Sequence, residues 1–326
     1  MNIPRRKFLR LATGAAALPA LPGSALALDY PTRPVHIVVG FPPGGGADIV
    51  ARLISQRLSE RLGQRFVVDN RPGAGSNIGA EAVIRSAPDG YTLYLITIPT
   101  NAVNATLYNN LNFNFVRDMA PVASLTRDPI VMEINPALPV KSVAEFIAYA
   151  RANPGKINMA SSGVGSTQHI AGQMFVAMTN ISVNHVPYRG AAPALTDLMA
   201  GQVQVFFDVA TSSIQYIEAG KLRALAVTTR TRWARLPDLP TISDSVPGYE
   251  ASNVRGVGAP KDTPPAIIEK LNQEINAVLA DPEMKAQLAN LGDEVLSFSP
   301  AEFGKFIAEE TEKWGNVART ANIKAE

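Results

Sequence analysis

The chain of 326 residues contains no cysteine and three histidines. Without thiols it can form no disulfide, thiolate metal site or cysteine nucleophile, and an oxidising compartment poses it no hazard. His36, His169 and His185 lack ligand-like spacing, so no metal site is expected. After residue 27, no apolar run approaches the roughly 20 residues that a membrane-spanning helix needs. Excess positive charge is also missing from most of the chain. Of 30 Lys and Arg, four (Arg5, Arg6, Lys7 and Arg10) stand at the very start, and without them 26 basic residues face 28 acidic ones, a formal charge of −2. No basic stripe with interleaved aromatics remains, which removes nucleic acid as a favoured partner.

The basic start, a modest apolar run from Leu11 to Leu21 and Ala25-Leu26-Ala27 together read as an export signal. Pro19 and Pro22 argue against a membrane anchor. RRKFLR at 5–10 resembles a twin-arginine signal, a route that exports folded chains, with the general secretory route as the alternative. Cleavage is expected after Ala27, leaving 299 residues, enough for two domains.

The mature chain is organised around Val35 to Leu62. Val35, Ile37, Val38 and Val39 read as a buried strand, a Pro-Pro-Gly-Gly-Gly turn follows, and Ile49, Val50, Leu53, Ile54, Leu58 and Leu62 recur at helical spacing. The first N–H groups of a helix have no internal partner and carry the positive end of its dipole. Gly44, Gly45 and Gly46 would let a carboxylate or phosphate come close to them. Asp48 caps the helix or accepts from a polar ligand. An unliganded strand-to-helix turn explains the same stretch equally well.

The pattern recurs. Phe66 to Asp69 is a strand, Asn70 to Asn77 a second glycine-rich loop, and Tyr91 to Ile98 a strand with Thr97, Thr100 and Asn101 at its end. Ala120 to Asn135 reads as a long strand leaving the first domain. Ser142 with Glu145 has capping-box spacing. Ile157 to Ser161, Asn184 to Pro187, Val203 to Phe207 and Leu222 to Val227 are further strands, with Ser162 to His169 opening a helix. Asp238 to Gly248 reads as a proline-rich surface segment, and Asn253 to Ala259 as the strand returning to the first domain. Helical patterns at Pro264 to Leu279 and around Phe303 to Val317 finish the chain. Alternating strands and helices predict α/β layers, with two crossings near 126 and 253 joining hinged lobes around a cleft.

Two enzyme readings compete. A nicotinamide enzyme fails on spacing, because the fingerprint position after Gly44 and Gly46 is Ile49. A serine hydrolase has candidates in Ser161, Ser162 or Ser166 with His169 or His185 and Asp208. It lacks the Gly-x-Ser-x-Gly elbow, and capping explains Ser166 and Thr167 as well. Arg71 and Arg189 lie in loops beside strand ends, where a surface or interlobe role is preferred over a carboxylate clamp. Tyr188 offers a donor with a flat apolar wall.

FPPGGGADIVAR (41–52), NRPGAGSNIGAEAV (70–83), PDGYTL (88–93), NPGKINMASSGVGSTQHIAGQMF (153–175), VPYRGAAPALTDLMAGQVQVFFD (186–208) and GKLRALAVTT (220–229) cover nearly the whole mature chain. In combination they resemble the Bug-type receptors of the tripartite tricarboxylate transporter family. The resemblance implies a type II periplasmic-binding-protein (Venus flytrap) fold, with lobes of 28–126 plus 254–326 and of 127–253. It implies a monomeric periplasmic receptor, without cofactor or catalysis, that binds a small organic acid and serves integral membrane transporter subunits. A ligand-presenting sensory subunit shares that binding step. Carried over by position, the implied site is Gly45, Gly46, Ala47 and Asp48, then Thr97, Thr100 and Asn101, then Ser162, Ser166, Thr167 and His169, with Tyr188 and Asp208.

Overall fold

The computed structural model describes residues 29–108 and 111–320; the export signal read from residues 1–27 lies outside them. β-Branched residues form β1 (Val35–Val39), and its glycine turn opens α1 (Gly46–Leu62), whose buried face carries Val50, Ala51, Ile54 and Leu58. There follow β2 (Phe66–Asn70), α2 (Asn77–Ile84), β3 (Thr92–Ile98), α3 (Thr100–Leu107) and the short α4 (Phe115–Asp118). The long strand β4 (Met119–Ile134) leads to α5 (Val143–Ala152), β5 (Asn158–Ser161), α6 (Thr167–Thr179), β6 (Asn184–Pro187) and α7 (Ala191–Met199). Next come β7 (Val205–Val209), α8 (Ala210–Glu218), β8 (Arg223–Val227) and β9 (Ser252–Pro260). The remaining elements are α9 (Pro265–Ala280), α10 (Pro282–Asn290), β10 (Glu294–Val295) and α11 (Pro300–Thr320).

The strand order β2-β1-β3-β9-β4-β7-β5-β6 contains one arrangement twice. β1 lies between β2 and β3, all parallel, and β3 pairs antiparallel with β9. In the same way β5 lies between β6 and β7, and β7 pairs antiparallel with β4. β4 belongs to both halves: Met119 to Pro129 pair with β9, and Ile130 to Ile134 pair with β7. The result is a two-lobed α/β protein whose parallel strands end at glycine-rich loops, where open α/β sheets bind ligands.

Two local readings need correction. Residues 238–248 are not simply surface: Ile242 and Val246 are buried, a 3₁₀ turn at Ile242–Asp244 is held by a Thr241/Asp244 capping box, and the adjoining Tyr249 donates to the Ala171 carbonyl at 2.9 Å. At α5, Ser142 accepts from the Glu145 amide, but the Glu145 carboxylate reaches the Lys141 amide at 2.7 Å, not that of Ser142.

Close packing around β9 has a measurable consequence. A Cβ on Gly256 would overlap the Phe303 ring and stand 2.7 Å from the Ala123 carbonyl oxygen. Gly256→Val is expected to cost about 1–3 kcal/mol through overpacking. Urea unfolding should show a lower midpoint with an unchanged slope; an unshifted midpoint would mean that the α11 contact yields freely.

Candidate functional site

Four helices begin around one small space. Its walls include Gly45 and Gly46 at the start of α1, Thr167 at that of α6, Gly190 and Ala191 at that of α7, and Val209, the N-cap of α8. The first-turn N–H groups of each helix have no intrahelical acceptor, so four positive dipole ends converge here. Thr97, Ser162, Gln168, Asn253 and Arg255 complete the polar wall, and among the described residues Arg255 is its one charged member. The space is about 30 Å³, room for roughly one or two waters. Phe41, Pro42, Ser162 and Gly190 also line a second, outer space of about 580 Å³.

Ser162 is 8% exposed, and its Oγ has no hydrogen-bond partner among the described residues. It borders both spaces. A buried hydroxyl without a partner is costly, and this one stands where a ligand atom would satisfy it.

Arg255 is fully buried in β9 and anchors a network beneath the inner space. Its Nη2 donates to Asp128 at 2.8 Å and its Nη1 to Asp293 at 2.7 Å. Burial works against the guanidinium charge, and the two carboxylates restore it. Asn253 donates to Asp128 at 2.8 Å and accepts from Thr167 at 3.3 Å, which links the network to α6. Thr211 of α8 stands 3.0 Å from Asp128 Oδ2 and 2.8 Å from Asp293 Oδ2. Its hydroxyl donates between the two carboxyls. Burial pushes Asp293 up to about 7, with Arg255 opposing and Asp128 adding to the shift.

Of the residues singled out in the sequence, Gly45, Gly46, Ala47, Thr97, Ser162 and Thr167 line the inner space, and Ser162, Ser166 and Tyr188 the outer one. Asp48, Thr100, Asn101, His169 and Asp208 line neither, and each is occupied by protein. Asp48 accepts from Arg52, the Gly44 amide and Asn70; these bonds overcome burial and hold its carboxyl below the usual value. Thr100 meets Thr167 hydroxyl to hydroxyl at 3.1 Å, away from solvent. Asn101 accepts from the Thr97 amide and donates to Ser76 and Tyr94. His169 accepts from the Gly165 amide and stacks on His185 with centroids 4.1 Å apart. Burial, and then His185, push it down to about 3, so it is neutral at ordinary pH. Asp208 accepts from Gln168, Ser212 and the Val209 amide; burial dominates and raises it to about 6. Although Tyr188 borders the outer space, its hydroxyl donates to Asp197 at 2.7 Å.

The hydrolase arrangement is not assembled among the described residues. Ser166 Oγ accepts from the His169 amide as an N-cap, Asp208 touches neither histidine, and Ser161, 2.7 Å from His185, is fully buried. Arg255, Asn253, Gln168 and Gly190 belong to the inner wall but were not anticipated. The available signal was Arg255 itself, a lone charge inside SNVRGVGAP, because a charge in a central strand must be paired.

Duplicated parallel units, strands shared between them and a polar cleft at the strand ends define the two-lobed fold of the periplasmic binding proteins. Solved structures agree. Rpa4515 of Rhodopseudomonas palustris, determined with adipate, is 40% identical with a TM-score of 0.88, covering 91% of this chain and 99% of that one. The periplasmic binding protein BugD is 33% identical with a TM-score of 0.87, covering 91% and 100%. MatC of R. palustris, with bound malate, is 30% identical with a TM-score of 0.85, covering 88% and 99%. Residues 50–323 match the family described as "Tripartite tricarboxylate transporter family receptor", and the chain belongs to that family.

Proposed function

We propose that this protein is a periplasmic receptor that captures a small carboxylated solute between its lobes and delivers it to integral membrane transporter subunits. The lobes in this reading are 28–126 plus 254–326 and 127–253, and the mature chain begins after Ala27. The supporting observation is the unpartnered, buried Ser162 hydroxyl at a space where four helix N-termini meet. A carboxylate there accepts from Ser162 and from first-turn amides of both lobes, so it favours the closed arrangement only when both lobes touch it. The inner space holds little more than a carboxylate's worth of water, so the solute enters with the lobes apart. Thr97, Thr167 and Asn253 surround it through neutral dipoles, and Arg255 supplies positive potential from behind.

Thermal denaturation of residues 28–326 against a panel of carboxylic acids tests this reading. A ligand at about 100 times its Kd adds roughly 2.7 kcal/mol of stability, and chromatography should recover it unchanged. Consumption of the ligand would point to an enzyme, and a panel without any shift would remove the carboxylate from the proposal.

A further inference from the structure

A third space, of about 710 Å³, has no lining residue in common with the two spaces of the cleft. Arg127 and Pro129 border it, close to the point where β4 exchanges pairing with β9 for pairing with β7. The segment 229–235 after β8, the α10–β10 connection and one face of α11 supply the other walls. Its volume falls in the range of small-molecule sites, roughly 300–1,000 Å³.

Arg127, Arg230, Arg232, Arg235 and Lys313 all reach this space. Three of the five already hold a carboxylate: Arg230 that of Glu250, Arg235 that of Glu218 at 2.8 Å, and Lys313 that of Glu310 at 3.3 Å. Arg127 and Arg232 hold none among the described residues. Arg232 donates to the Pro237 carbonyl at 3.2 Å, and the Nε of Arg127 is buried without a hydrogen-bond partner. Buried donors are ordinarily satisfied, so Arg127 lacks its acceptor. Of the acids in the wall, Glu250, Asp293 and Glu310 are engaged by Arg230, Arg255 and Lys313. Glu294 is the register partner of Arg127 across β10 and β4, yet it is exposed and makes no ion pair with it. The walls are held in place. Arg235 ties its segment to α8 through Glu218 and to α10 through Asn290 at 3.1 Å. Trp233 rests on Gly292, where φ is +91° and an added Cβ would overlap the indole.

We propose that this space is a second binding site, separate from the solute cleft, for the phosphate or carboxylate group of a small anion, with Arg127 as its main ligand and Arg232 as the second cation. The planar fork of Arg127 offers Nε and an Nη to two oxygens of one group, a bidentate and charge-assisted pairing. Arg232 spends one N–H on Pro237 and keeps the rest of its five donors for the anion. Trp233 walls the same space. Because the two arginines stand on β4 and on the segment after β8, a bound anion joins those two parts of the chain.

Calorimetry on the mature protein with inorganic phosphate and, in a second series, with citrate, both at constant ionic strength, tests the assignment, with tryptophan fluorescence recorded alongside. The chain has two tryptophans; Trp314 is buried in α11, and Trp233 borders the space. Saturable binding is expected with at least one of the two anions, and the anion preferred identifies the group the site takes. The accompanying fluorescence change should vanish in Trp233→Phe. Arg127→Gln should weaken binding roughly 10- to 100-fold, the loss of hydrogen bonds to a charged group. Arg232→Gln should weaken it less, and because Arg232 is exposed this variant reads the site even if Arg127→Gln lowers the unfolding midpoint. No binding of either anion, a fluorescence change that persists in Trp233→Phe, or wild-type affinity in either arginine variant overturns the assignment and leaves the receptor reading standing.

Discussion

Arg255→Met is expected to lower the unfolding free energy by about 3–5 kcal/mol, the cost of leaving buried carboxylates without their cation. In the wild type the guanidinium holds Asp128 and Asp293 at 2.8 and 2.7 Å, and methionine fills much of its volume without its charge or donors. The loss should depend on pH. Asp293 is raised to about 7 and Asp208 to about 6 in the folded protein, both from 3.8. The folded state therefore binds more protons than the unfolded one across that interval, and these two groups make the wild type less stable as pH rises from about 4 to about 7. Arg255 opposes the rise at Asp293, so without it Asp293 holds its proton more strongly, and the deficit of the variant should be larger at pH 8 than at pH 5. Denaturant titrations of both proteins at the two pH values measure it. An equal deficit at both would mean that lost packing, not uncompensated charge, sets the cost.

Gly46→Val is expected to weaken solute binding by roughly 10- to 100-fold, the population penalty of an overlap worth a few kcal/mol in the closed arrangement. A Cβ at this position would lie 2.7 Å from Arg255 Nη2, 2.9 Å from Val209 Cγ2 and 3.2 Å from Thr211 Cβ. It would wedge the start of α1 away from the start of α8. Its neighbour Gly45 faces no such overlap, since a Cβ there would find nothing nearer than Ala191 at 4.0 Å. Calorimetry with a carboxylate that binds the wild type measures the loss, and the unfolding midpoint of each protein without ligand controls for folding. Wild-type affinity in Gly46→Val would exclude closure against Gly46 as part of binding.

These neighbours also show what the sequence can and cannot express. A glycine in a strand-to-helix turn is legible because its missing side chain is itself the signal, and Gly45, Gly46, Ser162 and Thr167 all reach the inner wall. The uninterrupted run of β4 and the strand–loop–helix repeats are legible for the same local reason, since periodicity and turn residues lie within a few positions of each other. Polar side chains beside those turns are a different matter. Asp48, Asn101 and Asp208 are spent on amides, amide side chains and hydroxyls that the fold brings to them. Whether an acid faces a cleft or a neighbour depends on tertiary partners that no local pattern names. Arg255 is the extreme case, because Asp128 stands 127 positions before it and Asp293 38 after it.

The place of β9 bears on the order in which the molecule can be built. It pairs with β3 on one side and β4 on the other, yet Ser252 follows Ile98 by 154 positions. During synthesis from the N-terminus, the apolar edge of β3 from Tyr94 to Ile98 waits without its partner while the intervening segments emerge. A long unpaired edge invites pairing with other chains. The nascent protein is therefore most exposed to aggregation in the interval before residue 260 leaves the ribosome, and a chaperone that covers β3 until then would protect it more than one acting on either end.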